Sequence, residues 1–260
     1  MLYRGDATLV LPTLKDIGLV LVDPPFVMTG AKWDVGLDWD AVWTGLEKAC
    51  KSNTYVLVFG LDPFLSPLRC AHGSFTYKYD LIWDKMVPSP ANAKKYPMRQ
   101  HENIAVFYNG ACMADAYRPQ KRRRLIPIKG YATKASDSGA AHPTDTTVRK
   151  YGEKNPISIL RCNKVKSSTT KPWLSLHPTQ KPVPLLLYLI RTYSNDGDTV
   201  LDFTMGSGST GIASRMAKRR FVGIEKDKAM FNTALSRIRL WEREVDHAQK
   251  VYDNHFTQPA

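Results

Sequence analysis

The sequence predicts an α/β fold, a mostly parallel sheet covered by helices and carrying a loop-rich basic insertion. Three observations predict it. Short apolar, β-branched or aromatic runs alternate with a helical pattern over residues 1–110. The pattern dissolves over 111–172, where large apolar residues thin out and cations gather. It resumes over 173–260 as strand, Gly-rich turn, helix, strand and helix. We therefore read 1–110 and 173–260 as two halves of one sheet domain and 111–172 as an insertion between them.

Each element has a local cause. Asp6 is placed to cap a short helix over Thr8 to Leu14. Ile17 to Asp23 is an apolar run ending in a carboxylate, the pattern of a buried strand. Asp38 to Lys51 places Val42, Leu46 and Ala49 at helical spacing. Thr54 to Gly60, Tyr77 to Trp83 and Asn103 to Tyr108 are strands bounded by turn formers. The middle segment holds Arg118-Pro119-Gln120-Lys121-Arg122-Arg123-Arg124 and small-residue loops without a period, and we expect it to order fully on a partner. Thr179 to Thr192 is a helix with its prolines in the opening turns and Asn195-Asp196-Gly197-Asp198 closing it. Thr199 to Phe203 is a strand, Ser209 to Lys218 a helix and Phe221 to Glu225 a strand. A long helix capped by Asp227 then runs to about Val245. The last dozen residues are polar and read as loose.

The charge distribution points to a polyanion. Lys85 to Lys171 holds 18 basic and 5 acidic residues, which accounts for the whole net charge of +13, since the remainder balances 19 against 19. Cations concentrated on one segment are the footprint of a nucleic-acid partner. The longest apolar stretch, Val183 to Ile190, contains Pro184 and is too short to cross a bilayer. The N-terminal residues lack the layout of a secretory signal. Cys50, Cys70, Cys112 and Cys162 are scattered without metal-ligand spacing, so we expect reduced thiols, no metal and a cytoplasmic setting.

Two motifs carry chemistry. In Thr199 to Gly211 a strand ends in Asp202-Phe203, and Gly206-Ser207-Gly208-Ser209 turns into a helix. Glycines there let a ligand approach the backbone at the carboxyl ends of the strands. Glu225 ends the next strand about twenty residues on, where an acid accepts hydrogen bonds from ribose hydroxyls. The spacing is neither a dinucleotide fingerprint nor a phosphate loop. S-adenosylmethionine, with one ribose and no phosphate, fits better. His177-Pro178-Thr179-Gln180-Lys181-Pro182 opens a helix whose free N–H groups, with Thr179 and Lys181, suit the carboxylate of that cofactor. Asp6 has two readings, an acceptor for the cofactor's adenine amino group or a helix cap.

The second motif is Asp23-Pro24-Pro25-Phe26. The Asp23 carboxylate and the Pro24 carbonyl can accept both N–H groups of a base amine and leave its lone pair free. Pro25 stiffens the turn and brings no competing N–H. Phe26 can stack on a base extruded from a duplex.

At these residues the chain resembles the amino-methylating DNA methyltransferases of the β arrangement, in which the target-amine motif precedes the DNA-recognition segment and the cofactor motif comes last. The resemblance covers Leu2 to Asp6, Ile17 to Phe26, Asn92 to Tyr108 and His177 to Asp227. It implies a seven-stranded Rossmann-like sheet with one antiparallel strand, S-adenosylmethionine as donor and double-stranded DNA as substrate. Asp23, Pro24 and Phe26 become the target-amine site. Asp202, Phe203, Gly206, Gly208 and Glu225 become the cofactor site, with His177, Thr179 and Lys181 about its methionine part. An acidic first letter in Asp-Pro-Pro-Phe is usual for adenine N6 enzymes and Ser for cytosine N4 enzymes, so Asp23 favours adenine. The family admits a homodimer, a cognate restriction endonuclease, or a solitary phage or prophage enzyme acting in a bacterial cell. Arg118, Lys121, Arg122, Arg123 and Arg124 are expected on phosphates or base edges, and Lys94, Lys95 and Arg99 beside the catalytic mouth. A cytosine N4 enzyme and a DNA-binding protein that has lost turnover stay open as alternatives.

Overall fold

The computed structural model describes residues 1–27, 34–70, 73–88, 93–95, 97–113, 116–123, 132–135, 141–145, 153–164 and 180–241. β1 (Leu2–Arg4) leads through α1 (Ala7–Val10) and a 3-10 turn (Leu11–Thr13) to β2 (Ile17–Val22). There follow α2 (Trp39–Ala49), β3 (Cys50–Gly60), α3 (Leu65–Leu68), β4 (Thr76–Asp84) and β5 (His101–Tyr108). The insertion contributes β6 (Arg122–Arg123), β7 (Ala132–Ala135), β8 (Ala141–Asp145) and β9 (Glu153–Lys154). It forms two antiparallel pairs, β6 with β9 and β7 with β8. β10 (Ile159–Arg161), α4 (Val183–Tyr193), β11 (Thr199–Asp202), α5 (Ser209–Met216), β12 (Arg220–Glu225) and α6 (Lys228–Trp241) complete the described chain.

Eight strands form the main sheet in the order β1-β12-β11-β2-β3-β5-β4-β10. All run parallel except β5, which is antiparallel to both its neighbours. β2 is buried along its whole length because both faces are covered. Leu19 and Leu21 face the core beneath α4, α5 and α6, while Val20 and Val22 face the core beneath α1 and α2. Chain order reverses between β2 and β11, which makes that crevice the switch point where an open α/β sheet binds its ligand.

The single antiparallel strand agrees with expectation, but the sheet has eight strands rather than seven. Two of its strands are unforeseen, β1 and, inside the stretch read as loop, β10. Three residues give no periodic signal. What holds β10 is burial of Leu160 and the Trp83 indole donating to the Cys162 carbonyl at 2.7 Å. α4 begins at Val183, not Thr179, because Pro182 serves as its N-cap. Asp6 caps α1 through its Oδ1, which accepts from the Thr8 N–H at 3.0 Å and the Thr8 hydroxyl at 2.7 Å.

Candidate active site

The parallel strands deliver three carboxylates to one edge of the sheet. Asp23 follows β2, Asp202 ends β11 and Glu225 ends β12. Because β2 and β11 are paired in parallel, Leu201 against Val20, the Asp-Pro-Pro-Phe turn and the Gly-rich loop leave adjacent strand ends. Asp202 is only 3% exposed. Burial pushes its carboxyl up to about 7, and the nearby charges of Asp23 and Glu225 add to the rise, against the hydrogen bonds of Thr210 and the Thr204 N–H.

Asp23 belongs to a chain of four charges. Lys181 Nζ lies 2.5 Å from Asp23 Oδ2 and 3.3 Å from Glu102 Oε2, and Lys85 Nζ donates to Glu102 Oε1 at 2.7 Å. Two cations thus alternate with two anions at the mouth of the switch point. Burial pushes the Asp23 carboxyl above the usual carboxylate range; Lys181 opposes the rise and Glu102 adds to it. Burial disfavours the Glu102 charge too, yet Lys181 and Lys85 outweigh it and hold that carboxyl below its usual value. Lys181 is likewise held above its usual value, since Asp23 and Glu102 outweigh its own burial. Its ammonium also lies over the rings of Phe59 at 5.1 Å, Phe26 at 5.9 Å and Trp83 at 6.0 Å. Lys181, expected near a cofactor carboxylate, is paired here with the carboxylates of Asp23 and Glu102.

The Gly-rich loop is pinned from both sides. Gly206 N–H donates to Glu225 Oε2 at 2.9 Å and Asp227 N–H to Oε1 at 2.8 Å, which fixes the Glu225 carboxylate and leaves each oxygen with spare acceptor capacity. From below, the guanidinium of Arg237 on α6 donates to the Ser207 carbonyl at 2.6 Å, the Ser207 hydroxyl at 2.7 Å and the Ser209 hydroxyl at 3.3 Å. Arg237 is fully buried. Gly208 adopts φ +82°, and a Cβ there would meet Ala234 Cβ at 2.9 Å, so this glycine lets the loop turn directly onto α6. Gly206, at φ +48° with nothing closer than 3.9 Å, stands in open space above.

Several expected residues are placed differently. Phe203 turns into the core, edge-on to Trp39 with ring centroids 6.3 Å apart, so its ring is a packing group. The neighbouring Thr204 carries a buried hydroxyl that makes no hydrogen bond among the described residues, which marks it as the loop's available polar group. Ser209 is buried on Arg237. Lys94, Lys95 and Arg99 are exposed ahead of β5, whose reversed direction brings its start to the Asp23 edge. Arg118 and Lys121 lie at the opposite edge. The Arg118 N–H donates to the Thr192 carbonyl at 2.7 Å, at the far end of α4, about 15 Å along that helix from Lys181. The side chains of Arg122 and Arg123, and all of Arg124, His177 and Thr179, lie outside the described residues. Sequence reasoning missed Lys85, Glu102 and Arg237. Among the described residues no cluster of His, Cys, Asp or Glu is arranged to hold a metal, and no helix is long and apolar enough to cross a membrane.

A family model described as DNA methylase, of the N6 and N4 methyltransferases, matches residues 17–236. The type II methyltransferase M2.DpnII of Streptococcus pneumoniae is 41% identical over 66 residues, 25% of this chain and 25% of its own. M2.LlaDCHI of Lactococcus lactis subsp. cremoris is 36% identical over 66 residues, 25% of this chain and 24% of its own. The match thus spans about a quarter of these relatives' length. Among solved structures, the M1.HpyAVI–SAM complex superposes with a TM-score of 0.62 at 22% identity, covering 92% of this chain and 98% of that one. TTHA0409 of Thermus thermophilus, complexed with S-adenosyl-L-methionine, gives 0.59 at 20% identity over 94% of each. The cytosine-N4-specific PvuII DNA methyltransferase gives 0.58 at 16% identity, covering 91% and 85%. At these identities the likeness is one of fold.

Proposed function

We propose, since this chain belongs to the N6/N4 DNA methylase family, that it transfers a methyl group from S-adenosylmethionine to the exocyclic N6 amine of an adenine extruded from duplex DNA. One observation carries the reading: Asp-Pro-Pro-Phe and the Gly-rich loop leave neighbouring parallel strands at the switch point, close enough for the charge of Asp23 to bear on Asp202.

Bound S-adenosylmethionine supplies an electrophilic methyl group. The residues present suit it: Glu225 stands at a strand end with acceptor capacity for ribose hydroxyls, Gly206 leaves open backbone, and Thr204 offers a hydroxyl without a partner among the described residues. The rest of the work falls to this chain's own groups. Lys181 takes Asp23 Oδ2, which leaves Oδ1 to accept one amine N–H while the Pro24 carbonyl accepts the other. Held so, the amine nitrogen withdraws its lone pair from the ring and can attack. Its N–H becomes acidic only after transfer, and Asp23, with its raised carboxyl, is suited to take that proton. Phe26, half-buried against Phe64 with centroids 5.2 Å apart, gives the base a ring to lie on. The acidic first letter of the motif favours adenine over cytosine.

The test is incubation with labelled S-adenosylmethionine and mixed-sequence DNA, digestion to nucleosides and separation of the products. Labelled N6-methyladenine is expected. Labelled N4-methylcytosine alone would move the assignment to cytosine, and DNA and cofactor binding without any transfer would leave a binding protein. Methylation-sensitive sequencing of DNA from cells expressing the protein then gives the target site.

A further inference from the structure

Ten large apolar side chains are exposed among the described residues, and five of them, Val27, Val35, Met86, Val87 and Met98, sit on segments that border the edge carrying Asp23. Two of the five also hold the left-handed backbone, Val27 at φ +56° and Met86 at φ +62°. For a residue with a Cβ that conformation costs about 1–2 kcal/mol, and for β-branched Val27 it is a true outlier. Packing usually offsets such strain. Here the side chains point into solvent, Val27 60% and Met86 47% exposed, with Val87 beside Met86 at 57%.

Hydrogen bonds, not packing, impose the geometry. Asp84 Oδ1 accepts from the Met86 N–H at 2.9 Å and from the Gln100 side-chain amide at 2.8 Å. The Lys85 N–H donates to the Gln100 carbonyl at 2.9 Å, which carries the β4–β5 pairing past the strand end. On the other side, Asp34 Oδ1 accepts from the Val27 N–H at 2.7 Å. Within the β4–β5 turn, Trp83 and Lys85 point inward and Met86 and Val87 outward. Lys85 ends on Glu102, one step from the Lys181–Asp23 pair. The outward Met86 and the inward Lys85 are therefore consecutive residues, both tied to Gln100 ahead of β5 through Asp84 and the Lys85 N–H.

A partner that covers this tip would offset the exposure, and the same edge says which. Lys94, Lys95 and Arg99 stand exposed on the same connection between β4 and β5, so that connection joins apolar side chains to cations. That complements a base stack bordered by phosphates. A base that leaves a duplex to reach Asp23 leaves a gap with two apolar faces, and apolar side chains, methionine among them, are known to enter between base steps.

We infer that Met86, backed by Val87, is the wedge that fills the stack vacated by the extruded base. The inference rests on the methyl-transfer reading. Its test uses a duplex carrying the site found by sequencing, in two forms: fully paired, and with an abasic position opposite the target base, where extrusion is easier. Met86→Asn suits the left-handed backbone and so folds, but removes the apolar tip; Met86→Leu keeps it.

For Met86→Asn, and for Met86→Ala with Val87→Ala, the single-turnover rate on the paired duplex should fall about tenfold, a modest share of an unstacking energy. On the abasic duplex it should return to within about threefold of wild type. Met86→Leu should match wild type on both, and cofactor affinity should be unchanged throughout. Equal loss on both duplexes would assign the turn a merely structural role, and no loss on either would leave it facing solvent; each overturns the inference. A wild-type protein that methylates neither duplex overturns the methyl-transfer reading itself.

Discussion

Lys181 Nζ bridges Asp23 Oδ2 at 2.5 Å and Glu102 Oε2 at 3.3 Å, so one ammonium joins the turn after β2 to the start of β5. Residues 158 positions apart in the chain form the tightest ion pair described at the mouth.

Replacing Asp23 by Ala removes the acceptor but not the loop that would hold the cofactor. Methyl transfer should drop by at least about 10²-fold, while S-adenosylmethionine affinity, measured by calorimetry, stays within about threefold. Near-normal transfer would remove Asp23 from the amine site.

The pH dependence has a defined sign. Asp23 must be ionised to accept an N–H, and burial raises its carboxyl, so transfer should fall on acidification at a pH above the ordinary carboxylate range. Lys181 opposes that rise. In Lys181→Gln the acid limb of the kcat/KM profile should therefore move to still higher pH. A limb that stays put or moves down would mean that Lys181 does not govern Asp23.

Asp202 makes stability depend on pH in an unusual direction. Its folded carboxyl, raised to about 7, binds a proton that the unfolded chain has already lost above about pH 4. Stability contributed by this group is full below about pH 4 and is lost as pH rises through about 7. Asp202→Asn should abolish that decline. Urea unfolding of both proteins at about pH 5 and about pH 7.5 checks it, the expected difference being on the order of a few kcal/mol.

Arg237 holds the floor of the Gly-rich loop. Arg237→Met leaves the Ser207 carbonyl and two hydroxyls short of a buried donor, at a cost of about 1–3 kcal/mol, and should weaken S-adenosylmethionine binding more than it weakens DNA binding. Arg237→Lys keeps the charge without the fork, so it should recover the affinity only in part. Equal cofactor affinity in all three proteins would confine Arg237 to stability.

On the proposed reading, position decides which cations meet the duplex. Replacing Lys94, Lys95 and Arg99 together by Gln should lower the slope of log affinity against log salt by up to about 3. The same change at Arg118 and Lys121, on the opposite edge, should lower it less. Equal effects would show that the duplex wraps both edges.

Much of this was legible in the sequence because continuous patterns carried it. The apolar run ending in Asp23 marked β2, and strand–glycine–helix marked β11 and α5. What could not be read depends on topology. Lys85 and Glu102 are single charges at strand ends, and nothing local says that they pair 17 residues apart or that Lys181 closes the chain. Arg237 looks like any cation on a helix until α6 packs it beneath Ser207. Phe203 sits where a strand meets a loop, and its direction, inward onto Trp39, is set by strand alternation that composition does not show. β1 and β10 are three residues each, below the length at which periodicity speaks.

The reversed strand β5 ends at Tyr108 on the floor of the sheet, and β10 rejoins at Ile159, alongside Ile82. The basic insertion thus leaves the sheet at the edge opposite Asp23 and returns through β10 toward it, where Lys164 comes within electrostatic reach of Lys85 and Glu102. A segment grafted between Tyr108 and Ile159 should therefore have to keep the β10 pairing and Lys164 for the charges around Glu102 to stay as they are.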